Sequence, residues 1–262
     1  MLSAEEVEGC SKDGQITSVV SLPPAMVREL RGKMQSFFEA QPGVDQDYAA
    51  NLIDQDNSWL KYAMLPEILD TVRALIGDDI IVWGSALFAK KGIGGKATPW
   101  HQDGHYWPIR PLQTVTAWIA IDDVDTGNGC LRVIPTSHAD QKLHDHYTED
   151  SPDVVLNQAL EVGDDRFGTP RDVELKAGQF SVHDVYLIHG AAANDSGRRR
   201  AGLVFRYMPS TSHFDRELAR QQTKDMNVPD LSERQLHLVS GVDRSGNNDI
   251  FNAGAVLSQT FK

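Results

Sequence analysis

"WHQDGHYW", residues 100–107, sets His101, Asp103 and His105 among three large aromatic side chains, Trp100, Tyr106 and Trp107. In an extended strand, side chains two positions apart point to the same face. His101 and Asp103 would therefore present an imidazole and a carboxylate side by side, with Gln102 facing the other way. That is two corners of the two-histidine, one-carboxylate triangle that holds non-haem iron(II) and leaves other positions open. A His–carboxylate pair on a surface strand would look the same, so a third ligand must come from elsewhere in the chain.

Downstream of residue 79 the chain breaks into short apolar or alternating runs punctuated by Gly, Pro and Asp: "DIIVWGSALFAKK", "TVTAWIAIDDV", "CLRVIP", "DVELKAGQFSVHD" and "AGLVFRYM". Runs this short, rich in Val, Ile, Phe and Trp, predict antiparallel strands. Upstream, Met26, Leu30, Met34 and Phe38 recur every four residues in 22–41, and 65–76 opens with Pro66 and closes at Gly77. Both spacings predict helices. The polar stretch 137–169 reads as a long insertion, of the kind that forms lids or mobile loops. A helix is expected near 213–224. The expectation is a mainly β fold with flanking helices, one domain over 1–262: a helical part to about 78, a barrel over about 79–210 and an extension over about 211–262.

The 262 residues carry 25 Lys and Arg against 37 Asp and Glu, a formal net charge of −12. Such a surface repels polyphosphates and anionic lipid, which argues against nucleic-acid and membrane partners. Cys10 and Cys130 form no disulfide framework and suit a reducing compartment. The acidic start "MLSAEEVEGCSKDG" lacks a secretory pattern and no run of 18 apolar residues occurs, so the cytoplasm is the expected location.

His105 has the parity of His101 and Asp103, but one short segment would have to bend sharply to supply three facial ligands. The pair His144 and His146 sits in the polar insertion, where solvated histidines are expected. His189, in "VYLIHGAAAND", is delivered by an apolar run beside Gly190 and three alanines that leave space for a metal. Arg200 follows eleven residues later at the start of "AGLVFRYM", where a guanidinium can pair bidentately with a carboxylate. Arg206 shares its parity and is the alternative. Arg198 and Arg199 read as a solvated turn, and Trp118 as core. Trp100, Tyr106, Trp107 and Arg110 either line the entrance or cover the barrel end. "DDVDTGNG" lacks the Gly and Glu positions of an EF-hand and reads as a polar hairpin turn.

Taken together, "WHQDGHYWP", "TAWIAIDDVDTGNGCLRVIPTSH", "HGAAANDSGRRRAGLVFRYM" and "KDGQITSVVSLPPAMV" resemble the phytanoyl-CoA dioxygenase family of Fe(II)/2-oxoglutarate oxygenases, over most of residues 12–208. The resemblance implies a double-stranded β-helix, a jelly-roll or cupin-like barrel, with His101, Asp103 and His189 as ligands of Fe(II). It also implies Arg200 on the distal carboxylate of 2-oxoglutarate, with Lys90 near that cosubstrate if a one-residue gap is allowed. Tyr106, Trp107 and Arg110 are the candidates for substrate contact. Thr136 stands where the family has Gly in "PGSH", which puts that turn in doubt. The implied chemistry consumes O2 and 2-oxoglutarate and hydroxylates a C–H bond of a small metabolite or natural-product intermediate. Desaturation, epimerisation or cyclisation, or a non-enzymatic ligand-binding barrel, are the alternatives. Asp103 fills the position that a halogenase keeps free for chloride. The net charge points to a neutral or cationic substrate rather than a CoA thioester, unless Lys90, Lys91, Lys96 and Arg110 gather into a basic patch.

Overall fold

The computed structural model describes residues 2–163 and 166–251. The helices and main strands are, in chain order, α1 (Ala4–Asp13), β1 (Gln15–Thr17), α2 (Pro24–Ala40), α3 (Pro66–Ile76), β2 (Ile80–Lys90), β3 (Thr98–His101), β4 (Val115–Ala120), β5 (Leu131–Val133), β6 (Arg171–Val173), β7 (Phe180–Asp184), β8 (His189–Ala191), β9 (Arg200–Pro209), α4 (Arg216–Met226) and β10 (His237–Ser240).

Two antiparallel sheets result. The larger runs β1-β7-β4-β9-β2-β10, with a two-residue strand at Ala49–Ala50 also paired to β2. The smaller runs β6-β5-β8-β3. The period of two decides what each face meets. On β9, Ala201, Leu203, Phe205 and Tyr207 join Leu30 and Met34 of α2 and Ile68 and Val72 of α3 in one buried cluster. Val204 on the opposite face packs with Trp118 of β4 and with Leu131 and Val133 of the smaller sheet. The helices therefore cover the outer face of the larger sheet, the two sheets face each other, and the architecture is the double-stranded β-helix. Each fully buried Leu or Val contributes roughly 1.5–3 kcal/mol of transfer free energy, so β9, buried at all ten positions, is a large share of the core.

Several boundaries differ from expectation. The first 78 residues are not purely helical, because β1 pairs with β7 as an outer strand of the larger sheet. Likewise β10, in the expected extension, pairs with β2. Helix α1 was not predicted: it buries only Cys10 and so carries little apolar signal, but Ser3 and Glu6 close a capping box at its start. Helix α4 starts at Arg216, after a two-residue strand at His213–Phe214. Residues 252–262 of the expected extension, and 164–165 of the insertion, lie outside the described residues. Thr136 does form the turn its neighbours need, with φ at 68°. That is left-handed backbone in which a β-branched residue is strained.

Candidate metal centre

Strand β3 ends at His101, and Gln102 continues in extended backbone (φ −113°, ψ 127°) into a short 3-10 turn over Asp103–Tyr106. Asp103 thus lies on the turn rather than in the strand, yet the expected parity survives through Gln102. The turn fits because residue 104 is Gly: a Cβ there would sit 2.8 Å from the Leu112 side chain and 2.9 Å from that of Val185. His189, first residue of β8, stands directly opposite His101 in register.

Each histidine is fixed by its own strand. His101 Nδ1 donates to the Pro99 carbonyl and His189 Nδ1 to that of Leu187, both at 2.9 Å. A carbonyl can only accept, so each Nδ1 carries the proton and each Nε2 lone pair is left for a metal. Those Nε2 atoms lie 3.5 and 3.9 Å from Asp103 Oδ1, and one donor atom from each of the three residues lies within 4.8 Å of the others. Asp103 Oδ2 accepts from Thr116 Oγ1 at 2.9 Å and faces His183 Nε2 at 3.4 Å.

All three candidate ligands are buried. Burial opposes the Asp103 charge, but His101, His183 and His189 around it outweigh burial and hold the carboxyl well below its ordinary range. Burial, reinforced by the neighbouring His101 and His183, pushes His189 well below the usual imidazole value. A carboxylate and neutral imidazoles are the protonation states that metal binding requires. The donor set, its burial and the pinned Nδ1 atoms fit iron(II) held by His101, Asp103 and His189.

The cavity beside this triad is walled by Phe88, Leu131, Leu156, Trp118 and Val204, and both Arg200 and Arg206 reach it. Arg200, at the start of β9, lies opposite Lys90 in register, with its guanidinium 4.6 Å over the Trp118 ring. Burial lowers its pKa to about 10. Lys90 is fully buried, and Nζ donates to the Ala192 carbonyl at 2.7 Å. Burial and then the Arg200 charge bring its pKa down to about 6. Lys90 is thus opposite Arg200 in register, but its amino group is engaged with backbone.

Trp118 is buried as expected, but it also lines the cavity and supports Arg200, which makes it more than core. Its ring lies across Gly202, where a Cβ would come within 2.0 Å of it. Of the substrate-side candidates, Tyr106 lines the cavity. Trp107 does not: it is 2% exposed and packs edge-on against Trp83 with ring centroids 4.6 Å apart. Arg110 does not either, since its guanidinium donates back to the Ile109 carbonyl at 2.7 Å. No basic patch gathers, because Lys90 is buried and Lys96 pairs with Asp45 at 2.8 Å. Trp100 is half-buried beneath the Arg132 guanidinium. Arg198 and Arg199 are exposed and pair with Asp125 and Asp122, and "DDVDTGNG" forms a 3-10 turn over Thr126–Asn128 capped by Asp125.

The polar insertion is fastened to the metal-bearing edge. Gln102 Nε2 donates to the carbonyls of Lys142 (2.8 Å) and Tyr186 (2.7 Å), and Oε1 accepts from the His144 N–H at 2.8 Å. The Gln102 N–H donates to His146 Nε2 at 3.0 Å. His146 is therefore not a solvated loop histidine; its ring stacks on His105 with centroids 4.0 Å apart. Burial, then His105, lowers its pKa to about 4. Sequence reasoning missed the roles of Gln102, Thr116 and His183. Thr116 and His183 each sit at polar positions of an alternating strand, and that alternation was the available signal.

The chain matches the family model described as phytanoyl-CoA dioxygenase (PhyH) over residues 10–202. It is 29% identical over 187 residues to the peroxisomal phytanoyl-CoA dioxygenase of Bos taurus, covering 69% of this chain and 55% of that protein. With the L-proline trans-4-hydroxylase of Streptomyces griseoviridis it shares 26% over 222 residues, 75% of this chain and 82% of that one. Its fold superposes on that of the non-haem α-ketoglutarate-dependent carbocyclase SnoK from nogalamycin biosynthesis with a TM-score of 0.69 and 25% identity, covering 81% and 86% of the two chains. The chain spans about half the length of the phytanoyl-CoA dioxygenases of cattle, humans and mice.

Proposed function

Because the chain belongs to the phytanoyl-CoA dioxygenase family, we propose that it is an Fe(II)- and 2-oxoglutarate-dependent dioxygenase that hydroxylates a C–H bond of a small metabolite. The observation that carries this is the convergence of His101, Asp103 and His189 on one point, with donor atoms within 4.8 Å and the remaining polar atoms of each already held by the protein.

Iron and 2-oxoglutarate, once bound, supply the oxidation, one oxygen atom of O2 going to succinate as CO2 is lost and the other to the substrate. The protein's own residues do the rest. His101, Asp103 and His189 would hold the metal, and as three ligands they would leave room for cosubstrate and O2 beside it. Arg200 receives the distal carboxylate of 2-oxoglutarate as a planar fork, braced from below by Trp118. Phe88, Leu131, Leu156 and Val204 keep water from the reacting carbon. Asp103 occupies with its own charge the place a halide would need, so hydroxylation follows in preference to chlorination. Hydroxylation is also the reaction named for the proline hydroxylase relative, most of whose length is matched. No helix among the described residues is long and apolar enough to cross a membrane, and two buried free cysteines suit a reducing compartment such as the cytoplasm.

The test is succinate release from 2-oxoglutarate with Fe(II), ascorbate and a metabolite library, read by mass spectrometry for an added oxygen. His101→Ala, Asp103→Ala and His189→Ala should each abolish it; undiminished succinate in any one overturns the assignment. Arg200→Lys should weaken 2-oxoglutarate binding while leaving iron binding in place. A chlorinated product from the unmodified protein in high chloride would contradict the role given to Asp103.

A further inference from the structure

We propose that the substrate of this pocket carries a carboxylate, and that Arg206 receives it. The proposal rests on the reading of the pocket as a 2-oxoglutarate-dependent centre and names the substrate class of that centre. Arg206 is 8% exposed and lines the cavity. Among the described residues its hydrogen-bonding partner is the Tyr48 side chain and no carboxylate pairs with it, and its Nε is buried without a partner. A buried guanidinium with unused donors is costly unless an anion completes it.

Charge balance says which anion is missing. The charged side chains lining the cavity are Asp103, Arg200 and Arg206. The two positive charges of Fe(II) and the one of Arg200 neutralise Asp103 and the two carboxylates of 2-oxoglutarate. Arg206 is left as an unbalanced cation, and protonation of Lys90 would only add to the excess. The Asp103 oxygens cannot serve it, being turned to His101, His189 and Thr116.

Position separates this charge from the cosubstrate's arginine. Arg200 and Arg206 share one face of β9, six residues or roughly 20 Å of strand apart. Arg206 pairs in register with Thr116, the residue holding Asp103, so it stands level with the metal carboxylate while Arg200 lies at the far end of that face. The slot is built for it. Gly84 lies opposite in register, and a Cβ there would come within 3.3 Å of Arg206 Cδ. The rings of Trp107 and Trp83 flank the guanidinium at 5.2 and 5.9 Å, while Tyr48 and Tyr106 face it. This local charge overrides the acidic exterior, which had pointed to a neutral or cationic substrate.

The test uses the full chain loaded with redox-inert Mn(II) and saturated with 2-oxoglutarate. Calorimetry then compares short aliphatic, aryl and 2-amino carboxylic acids with their primary amides. At least one acid should bind roughly tenfold or more tighter than its amide, the scale of one charge-assisted hydrogen-bonded pair. Arg206→Gln should erase that preference while keeping 2-oxoglutarate affinity and melting temperature close to wild type, and Arg206→Lys should restore part of it. Acids and amides binding alike, no acid binding, or loss of 2-oxoglutarate affinity in Arg206→Gln would each overturn the proposal. If instead the wild-type protein fails to bind 2-oxoglutarate, the functional reading falls and this one with it. Intact, Arg200-dependent 2-oxoglutarate binding without acid preference sinks this proposal alone.

Discussion

Asp103 divides its work between two oxygens: Oδ1 faces both ligand histidines, and Oδ2 is held by Thr116 at 2.9 Å. Outer hydrogen bonds of this kind typically change metal affinity by roughly 10–100-fold. Thr116→Val, which keeps the shape and removes the hydroxyl, should weaken Fe(II) or Mn(II) binding on that scale without a matching loss of melting temperature; unchanged metal titrations would exclude the role. Lys90 permits a test by pH. Its folded-state pKa of about 6 lies below the ordinary 10.5, so between these values the unfolded chain holds a proton that the folded chain lacks. Stability contributed by this group therefore rises with pH across that window and is least below about 6. Denaturant unfolding at pH 7 and 9 should show wild type gaining on Lys90→Met by roughly 1 kcal/mol per pH unit. At this scale the convergence of His101, Asp103 and His189 was legible, because the first two share the parity of one extended segment and His189 follows an apolar run. For Thr116 and His183 alternation gave only the face, since their approach to Asp103 depends on how the larger sheet meets the turn after β3, which no local pattern states. Trp107 failed for a related reason: an aromatic beside a site looks alike in sequence whether it faces the cavity or Trp83.

β2 and β9 are the longest strands, paired from Arg200 opposite Lys90 to Pro209 opposite Ile80. Their outer positions are apolar and meet the helices, while the inner ones carry Lys90, Arg200 and Arg206. That alternation is why the strands could be read from the chain alone. α1 and β1 could not, because α1 has one buried residue and β1 is three residues long. Gly202 is the weak point of β9, as Trp118 occupies the space a side chain would need. Gly202→Ala should cost about 1–3 kcal/mol through overpacking and, by displacing Trp118 from beneath Arg200, weaken 2-oxoglutarate binding as well. A variant with wild-type melting and wild-type affinity would show that the ring has somewhere else to go.

Across the whole molecule, the insertion at 137–169 is coupled to the metal edge through Gln102 and His146, and it contributes Leu156 to the cavity wall. Anything that binds the folded centre stabilises what is fastened to it, by about 2.7 kcal/mol at a ligand concentration 100 times Kd. Mn(II) with 2-oxoglutarate should accordingly slow proteolytic cleavage within the insertion, and Gln102→Ala should remove most of that protection; cleavage insensitive to ligand would show the insertion to be independent. Net charge speaks for the exterior at this scale, because −12 is a sum over the whole chain while Arg200 and Arg206 are buried. The placement of those arginines on one face of one strand also bears on how the sequence can change by descent. Side chains alternate with a period of two, so one codon gained or lost between 200 and 206 would turn one guanidinium out of the pocket and into the helix-covered core. A substitution at 201–205 leaves that phase intact whatever it costs in packing, whereas the length of the interval is a heritable constant for as long as both charges are needed.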